Sequence, residues 1–285
     1  MSPKLGPFQK YWRRIRTLAE DTASYWRYNL AGNQIQRLTD FRSCERPVLL
    51  IYGYAATRRI FTILEKRLRK DGFCVFSVRL GGLFDTFNIG GIVDSAKLIQ
   101  RKIDKLSSLY RLGPITIIGH SKGGLIGEYY VKNLGGSEKV CNLITLATPH
   151  RGSPWAALGV LSPLALVSAS IRQMWPLSPF LKQLNETPMP EHVHFVSLYS
   201  RNDAVCPYPF CKLDTLKHPR FKNIEISDVS HSQFVISRRA YEIIRREVEM
   251  GLREAKHTPA PKPASVDKSQ TTEASNSDSQ PAVVP

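Results

Sequence analysis

The first place in this chain where residue type and spacing could do chemistry is Gly119-His120-Ser121-Lys122-Gly123. The β-branched run ITII precedes it and an apolar-periodic segment follows, so Ser121 falls on a strand-to-helix turn. A turn this tight strains the serine backbone, and the helix crosses so close behind the strand that the flanking positions must be nearly without side chains. Strain of this kind pushes the hydroxyl out to where a base and a substrate can reach it. The helix beginning after Ser121 also directs amides at a developing oxyanion. Gly124 adds a second small residue where helix passes strand. The plainer alternative is a glycine-rich turn without chemistry. His120 adjoins the serine, but adjacent side chains on such a turn point apart, which makes it a packing residue. Lys122 places a cation at a helix N-terminus, which is mildly unfavourable. The expectation is that it snorkels into water, the alternative being contact with an anionic part of the substrate.

A serine hydroxyl needs a base, and on this kind of turn the acid and then the histidine follow the serine in chain order. Of the histidines after Ser121, His257 lies in a polar tail, His192 and His194 open a strand, and His150 comes too early. His231, in SDVSHSQF between the last strand and the closing helix, is the best-placed base. Asp203, just past the strand Val193–Tyr199, is the preferred orienter, with Asp214 and Asp228 as alternatives. Asn202-Asp203 is also good turn chemistry. The oxyanion hole needs two backbone donors: the amide of Lys122, and one from the loop after an earlier strand, where LLIYGYAAT offers Tyr54.

These residues need a frame that brings them together. From residue 47 the pattern alternates: strands over 47–53, 73–80, 114–119, 140–147, 193–199 and 221–226, with helices over 57–70, 92–110, 122–134 and 234–250. Strands alternating with helices predict an α/β fold, a mostly parallel sheet with helices on both faces. Such sheets bind ligands at the carboxyl ends of their strands, where the motifs carrying Ser121, Tyr54, Asp203 and His231 lie. Residues 1–46 read as a basic, aromatic-rich leader, 47–255 as the catalytic domain and 256–285 as a disordered tail too poor in large apolar residues to fold. In the leader, positions 11, 15 and 18 share one helical face, which suits packing on the main domain or lying on an anionic membrane.

Forty Lys+Arg against 24 Asp+Glu give a net charge of +16, a surface that attracts polyanions. The chain has no helix-turn-helix, RNP-like or zinc-finger signature, so no specific nucleic-acid partner is expected, and peripheral association with anionic membrane is preferred. The N-terminus lacks the apolar run of a secretory signal, and Cys44, Cys74, Cys141, Cys206 and Cys211 are read as reduced thiols in a cytoplasmic setting. The uncharged stretch 152–171 matches a membrane span in length, but Pro163 and its Gly and Ser content argue against spanning.

Taken together, LLIYGYAAT, IIGHSKGG, LITLATPHRGSPWA, SLYSRNDAVCP and DVSHSQF resemble the lipase and esterase branch of the α/β-hydrolase superfamily, especially bacterial triacylglycerol lipases and inositol-deacylase-like enzymes, over residues 47–250. The resemblance implies an α/β-hydrolase fold and cleavage of carboxylic esters, with lipid as the substrate class. It matches Ser121, Asp203 and His231 to the nucleophile, the acid and the base. It also implies a cap or lid over about residues 152–185, in which Trp155, Leu158, Leu161, Met174 and Trp175 would form an acyl-binding surface, an ordinary helical hairpin being the alternative. Tyr52-Gly53 stands where these lipases usually carry His-Gly, which leaves the backbone role intact. No calcium site is carried over, and no cofactor or metal is expected. Rival readings are acyl transfer from the same acyl-enzyme, a metal site built from His192, His194, Cys206, Cys211 and His218, a basic binding protein, and an inactive scaffold.

Overall fold

The apolar runs of the sequence become the strands of one sheet in the computed structural model, which describes residues 39–81, 87–160, 168–218 and 220–257, with residue 23 alone in the leader. The strands are β1 (Pro47–Ile51), β2 (Cys74–Ser77), β3 (Ile115–His120), β4 (Val140–Leu146), β5 (His194–Tyr199) and β6 (Phe221–Glu225). Every pairing is parallel, in the order β2-β1-β3-β4-β5-β6. Strands β1, β3, β4 and β5 are buried along their whole length. That burial explains why they read as continuous apolar runs rather than alternating ones.

The helices are α1 (Thr62–Lys70), α2 (Ile92–Leu109), α3 (Lys122–Asn133), α4 (Pro154–Val160), α5 (Ala169–Met174), α6 (Pro179–Glu186), α7 (Tyr208–Cys211) and α8 (Arg238–His257). Helix α2 turns Ile92, Ala96, Ile99, Ile103 and Leu106 into the core, the face its spacing predicts. Two helical segments expected as single pieces enter through a 3₁₀ turn, Arg58–Phe61 before α1 and Ser232–Val235 before α8. Helix α8 runs to His257 rather than stopping near residue 250, because Tyr241, Ile244, Val248 and Gly251 keep burying one face as it extends. Gly251 passes against Asn142, whose Nδ2 donates to the carbonyl of Glu247 (3.0 Å).

After β1 and β2 the chain crosses back, so β3 lies on the other side of β1. The crevice at that reversal lies between the carboxyl ends of β1 and β3. It receives the loop starting at Tyr52 and the turn at Ser121. Residues 39–46 pack on the same body: Phe41 meets Phe76 edge-on and stacks on Tyr110, and Cys44 is buried. The proposed leader helix and nearly all of the tail lie outside the described residues, as does Leu161. No helix among the described residues is long and apolar enough to cross a membrane.

Candidate active site

Ser121 joins β3 to α3 with φ +54° and ψ −129°. A non-glycine residue there carries strain of order 1–3 kcal/mol and persists only where its surroundings over-determine it. Here they do. The Ser121 amide donates to Leu146 (2.8 Å), and its carbonyl accepts from the Thr148 hydroxyl (3.0 Å) and the Gly124 amide (3.0 Å). The glycines are required by space. A Cβ on Gly119 would lie 2.5 Å from Gly124, and one on Gly123 would lie 2.0 Å from the Ile51 carbonyl oxygen.

Asp203 follows β5 and is buried. Its Oδ1 accepts from the amides of Val205 (2.9 Å) and Cys206 (2.7 Å), so the turn chemistry seen in the sequence is real. Its Oδ2 lies 2.8 Å from Nδ1 of His231. A carboxylate accepts, so Nδ1 carries the proton and Nε2 is the basic nitrogen. The other candidate acids are engaged locally. Asp214 accepts from the Leu216 amide (3.2 Å), and Asp228, at φ +59°, accepts from Asn202 Nδ2 (3.0 Å).

His231 is docked on the elbow through His120. Nε2 of His120 donates to the main-chain carbonyl of His231 over 3.0 Å, and the two rings lie 4.7 Å apart. Burial, with His231 alongside, pushes the His120 ring down to about 3, so it is neutral. It therefore packs, as its sequence position predicts, but it also braces the backbone of His231.

Gly53 runs against Ser121: a Cβ there would lie 2.9 Å from the serine Cβ and 3.4 Å from its Oγ. Tyr54 is the next residue of this loop. Asn88, which carries no signal in the sequence, braces this loop. It accepts from the Ala55 amide (3.0 Å), donates its own amide to Ala56 (3.2 Å), and donates Nδ2 to the Tyr52 carbonyl (3.0 Å).

The expectation for Lys122 is overturned. It does not snorkel into water; it is fully buried. Its Nζ donates to the Asn88 carbonyl (3.1 Å), Asn88 Oδ1 (2.6 Å), the Gly90 carbonyl (2.8 Å) and Ser170 Oγ (2.9 Å). Four convergent oxygens take the place of the hydration shell, which sequence spacing cannot reveal because they lie 32–48 residues away.

In the cap region, Trp155 (53% exposed) and Leu158 (63%) lie on α4, with Trp175 (37%) and Leu177 (77%) between α5 and α6. Met174 instead packs into the main core. The Trp155 indole donates to the Ala204 carbonyl (3.2 Å), tying α4 to the loop after β5.

Three other histidines are engaged in polar contacts within the fold. His150 bridges Glu128 (2.8 Å) and Thr145 (2.9 Å), His192 faces the Ser137 carbonyl (2.7 Å), and His194 faces Glu247 (3.3 Å). Among the described residues, no three His, Cys, Asp or Glu side chains gather as a metal site.

A parallel sheet with this strand order, a strained serine after β3, and an acid–histidine pair from the loops after β5 and β6 define the α/β-hydrolase fold. The chain superposes on the mature lipase BlEst2 of Bacillus licheniformis with a TM-score of 0.60 at 14% identity, covering 76% of this chain and 96% of that one. It superposes on ferulic-acid-bound Est1E of Butyrivibrio proteoclasticus with a TM-score of 0.58 at 14% identity, over 78% and 95% of the two chains. For the monoacylglycerol lipase of Paleococcus ferrophilus the TM-score is 0.52 at 15% identity, over 74% and 97%. The family model of the PGAP1-like alpha/beta domain matches residues 12–220, and the chain belongs to that family. The match begins inside the basic leader and ends before His231.

Proposed function

We propose that this protein is a serine hydrolase that cleaves carboxylic esters, with lipid esters as the substrate class, through an acyl-enzyme on Ser121. The observation that carries the reading is the 2.8 Å bond between Asp203 and His231, made by loops 28 residues apart and docked on the residue before the strained serine. In this reading Nε2 of His231 takes the Ser121 proton as Oγ attacks the ester carbonyl. The amides of Tyr54 and Lys122 bind the oxyanion, and losing such a donor costs about 10²–10³ in rate. The tetrahedral adduct collapses as His231 returns the proton to the leaving alcohol. Water, activated by the same histidine, then releases the acid and restores Ser121.

The lipid preference rests on the exposed Trp155, Leu158, Trp175 and Leu177 and on the net charge of +16. An apolar rim on a basic protein suits peripheral attachment to an anionic membrane, with acyl chains entering under the cap. The similar solved structures carry lipase and esterase names, which is consistent with this reading. Labelling of the full chain by an organophosphonate probe, mapped by mass spectrometry, tests it. The expected adduct is on Ser121, with turnover of short p-nitrophenyl esters abolished in a folded Ser121→Ala. An unlabelled Ser121, or a fully active Ser121→Ala, overturns it. Adding an alcohol acceptor to the same assay separates hydrolysis from acyl transfer.

A further inference from the structure

A lysine with no exposed surface, beside a nucleophile that does not use it, is the largest charged anomaly near the site. Its side chain cannot reach substrate while the cap is in place, so contact with an anionic substrate group does not explain it. Its partners do. Asn88 spends its amide, its Nδ2 and its carbonyl on Tyr52, Ala55 and Ala56, the residues that bracket Tyr54. Its carbonyl also accepts from Lys122, and its Oδ1 is given wholly to Lys122. On the other side, Ser170 opens the cap helix α5, and its hydroxyl donates to Gly90, leaving its lone pairs to face the lysine. One Nζ thus ties together the elbow, the strap at 88–90, the loop carrying the Tyr54 amide, and the cap.

We propose that Lys122 is a positioning residue for the oxyanion hole: its buried ammonium holds Asn88 against residues 52–56, so that the Tyr54 amide stays aimed at the developing oxyanion, and it anchors the cap through Ser170. The inference rests on the ester-hydrolase reading of the site. Ammonium chemistry suits the shell, because every group facing Nζ is an acceptor. A neutral amine would turn a lone pair toward oxygen with no donor to meet it, leaving one acceptor unpaired. Burial acts against the charge, pushing the ammonium down to about 7. The contacts that hold the loop therefore weaken as the proton leaves. The titratable groups on the elements packed around it are Tyr54, whose ring lies 5.7 Å from Nζ, Tyr52 in the same loop, Asp94 on α2, Arg172 on α5 and His120 at the end of β3.

The test is a kinetic comparison of the full chain with Ser121→Ala, Lys122→Met, Asn88→Ala, the double variant and Asn88→Asp, on a short p-nitrophenyl ester across pH. Expected for both Lys122→Met and Asn88→Ala is a fall in kcat of about 10²-fold, as for loss of an oxyanion donor, with KM within about threefold. The double variant should be no slower than the worse single one, since both cut the same chain of contacts. The parent should lose kcat at alkaline pH. Asn88→Asp should move that limb upward, because a carboxylate against Nζ favours the ammonium; a merely structural role would not move it. If Lys122→Met fails to fold, Asn88→Ala and the Asn88→Asp shift still decide. A near-parental kcat in Asn88→Ala, multiplicative losses in the double variant, or an unmoved limb overturns the inference. An inactive parent, or an active Ser121→Ala, overturns the ester-hydrolase reading instead.

Discussion

The rings of His120 and His231 lie 4.7 Å apart, and the neutral His120 ring donates to the backbone carbonyl of His231. The bond fixes the loop that carries His231 rather than its ring. Removing it leaves the Asp203–His231 bond intact but lets the loop drift from Ser121. His120→Ala should therefore lower kcat about fivefold, the worth of one hydrogen bond of about 1 kcal/mol, with little change in KM. Steady-state kinetics on a soluble ester measures this. A KM effect without a kcat effect would mean that His120 shapes the substrate surface instead.

Acid sensitivity should come from buried ion pairs other than the Asp203–His231 pair. Burial alone would raise the Glu128 carboxyl, but Lys132 (2.7 Å) and His150 (2.8 Å) hold it down to about 2. Glu247 is likewise held near 2 against burial by His194 and Lys222. Both fall below the ordinary carboxylate value of 4.5. The unfolded chain thus binds more protons between about 4.5 and 2, and stability from these pairs is present above that window and lost as pH falls through it. Urea midpoints measured from pH 5 to pH 2 should drop steeply, and Glu128→Gln should start lower and fall less. An equal slope in both proteins would show that Glu128 is not the linked group.

The elements that were legible in the sequence share a local signature. Ser121 was marked by Gly119 and Gly123, and the structure shows the contacts that forbid larger residues there. The pairing of Asp203 with His231 is legible because each lies in the loop after a strand of recognisable composition. The environment of Lys122 is tertiary and so hidden from sequence spacing: Asn88 lies in the connection between β2 and α2 and Ser170 in α5, neither with a pattern pointing to a buried cation. Met174 belongs to the same uncharged run as Trp175, yet one is core and the other surface. Hydrophobicity alone does not separate an exposed apolar residue from its buried neighbour.

The crossing of α3 over β1 should be the least tolerant spot in the fold. Gly123→Ala would set a methyl group 2.0 Å from the Ile51 carbonyl oxygen, where backbone meets backbone and no rotamer relieves the clash. Overpacking typically costs about 1–3 kcal/mol, and this case should reach at least the upper end. Gly135→Ala is the control: nothing lies within 4 Å of its Cβ, so its cost is only that of a left-handed φ of +71°. Thermal or urea unfolding of the two variants should separate them clearly. Equal losses would mean that backbone conformation, not space, sets the requirement for glycine.

Lys122 should leave a second imprint, on stability, opposite in sign to its effect on turnover. Burial lowers its folded value to about 7 from an ordinary 10.5. Between those two values the unfolded chain binds more protons than the folded one, so this group makes stability rise with pH across that window. Below about 7 both states are protonated and the cost of burying the charge is felt in full. Unfolding free energies measured at pH 7, 8 and 9 for the parent and Lys122→Met should differ by an amount that changes steadily in the parent's favour as pH rises. Other lysines, tyrosines and thiols titrate alike in both proteins and cancel in the difference. A pH-independent difference would show that Nζ keeps its proton throughout. In that case the alkaline fall in turnover would have to arise at another group.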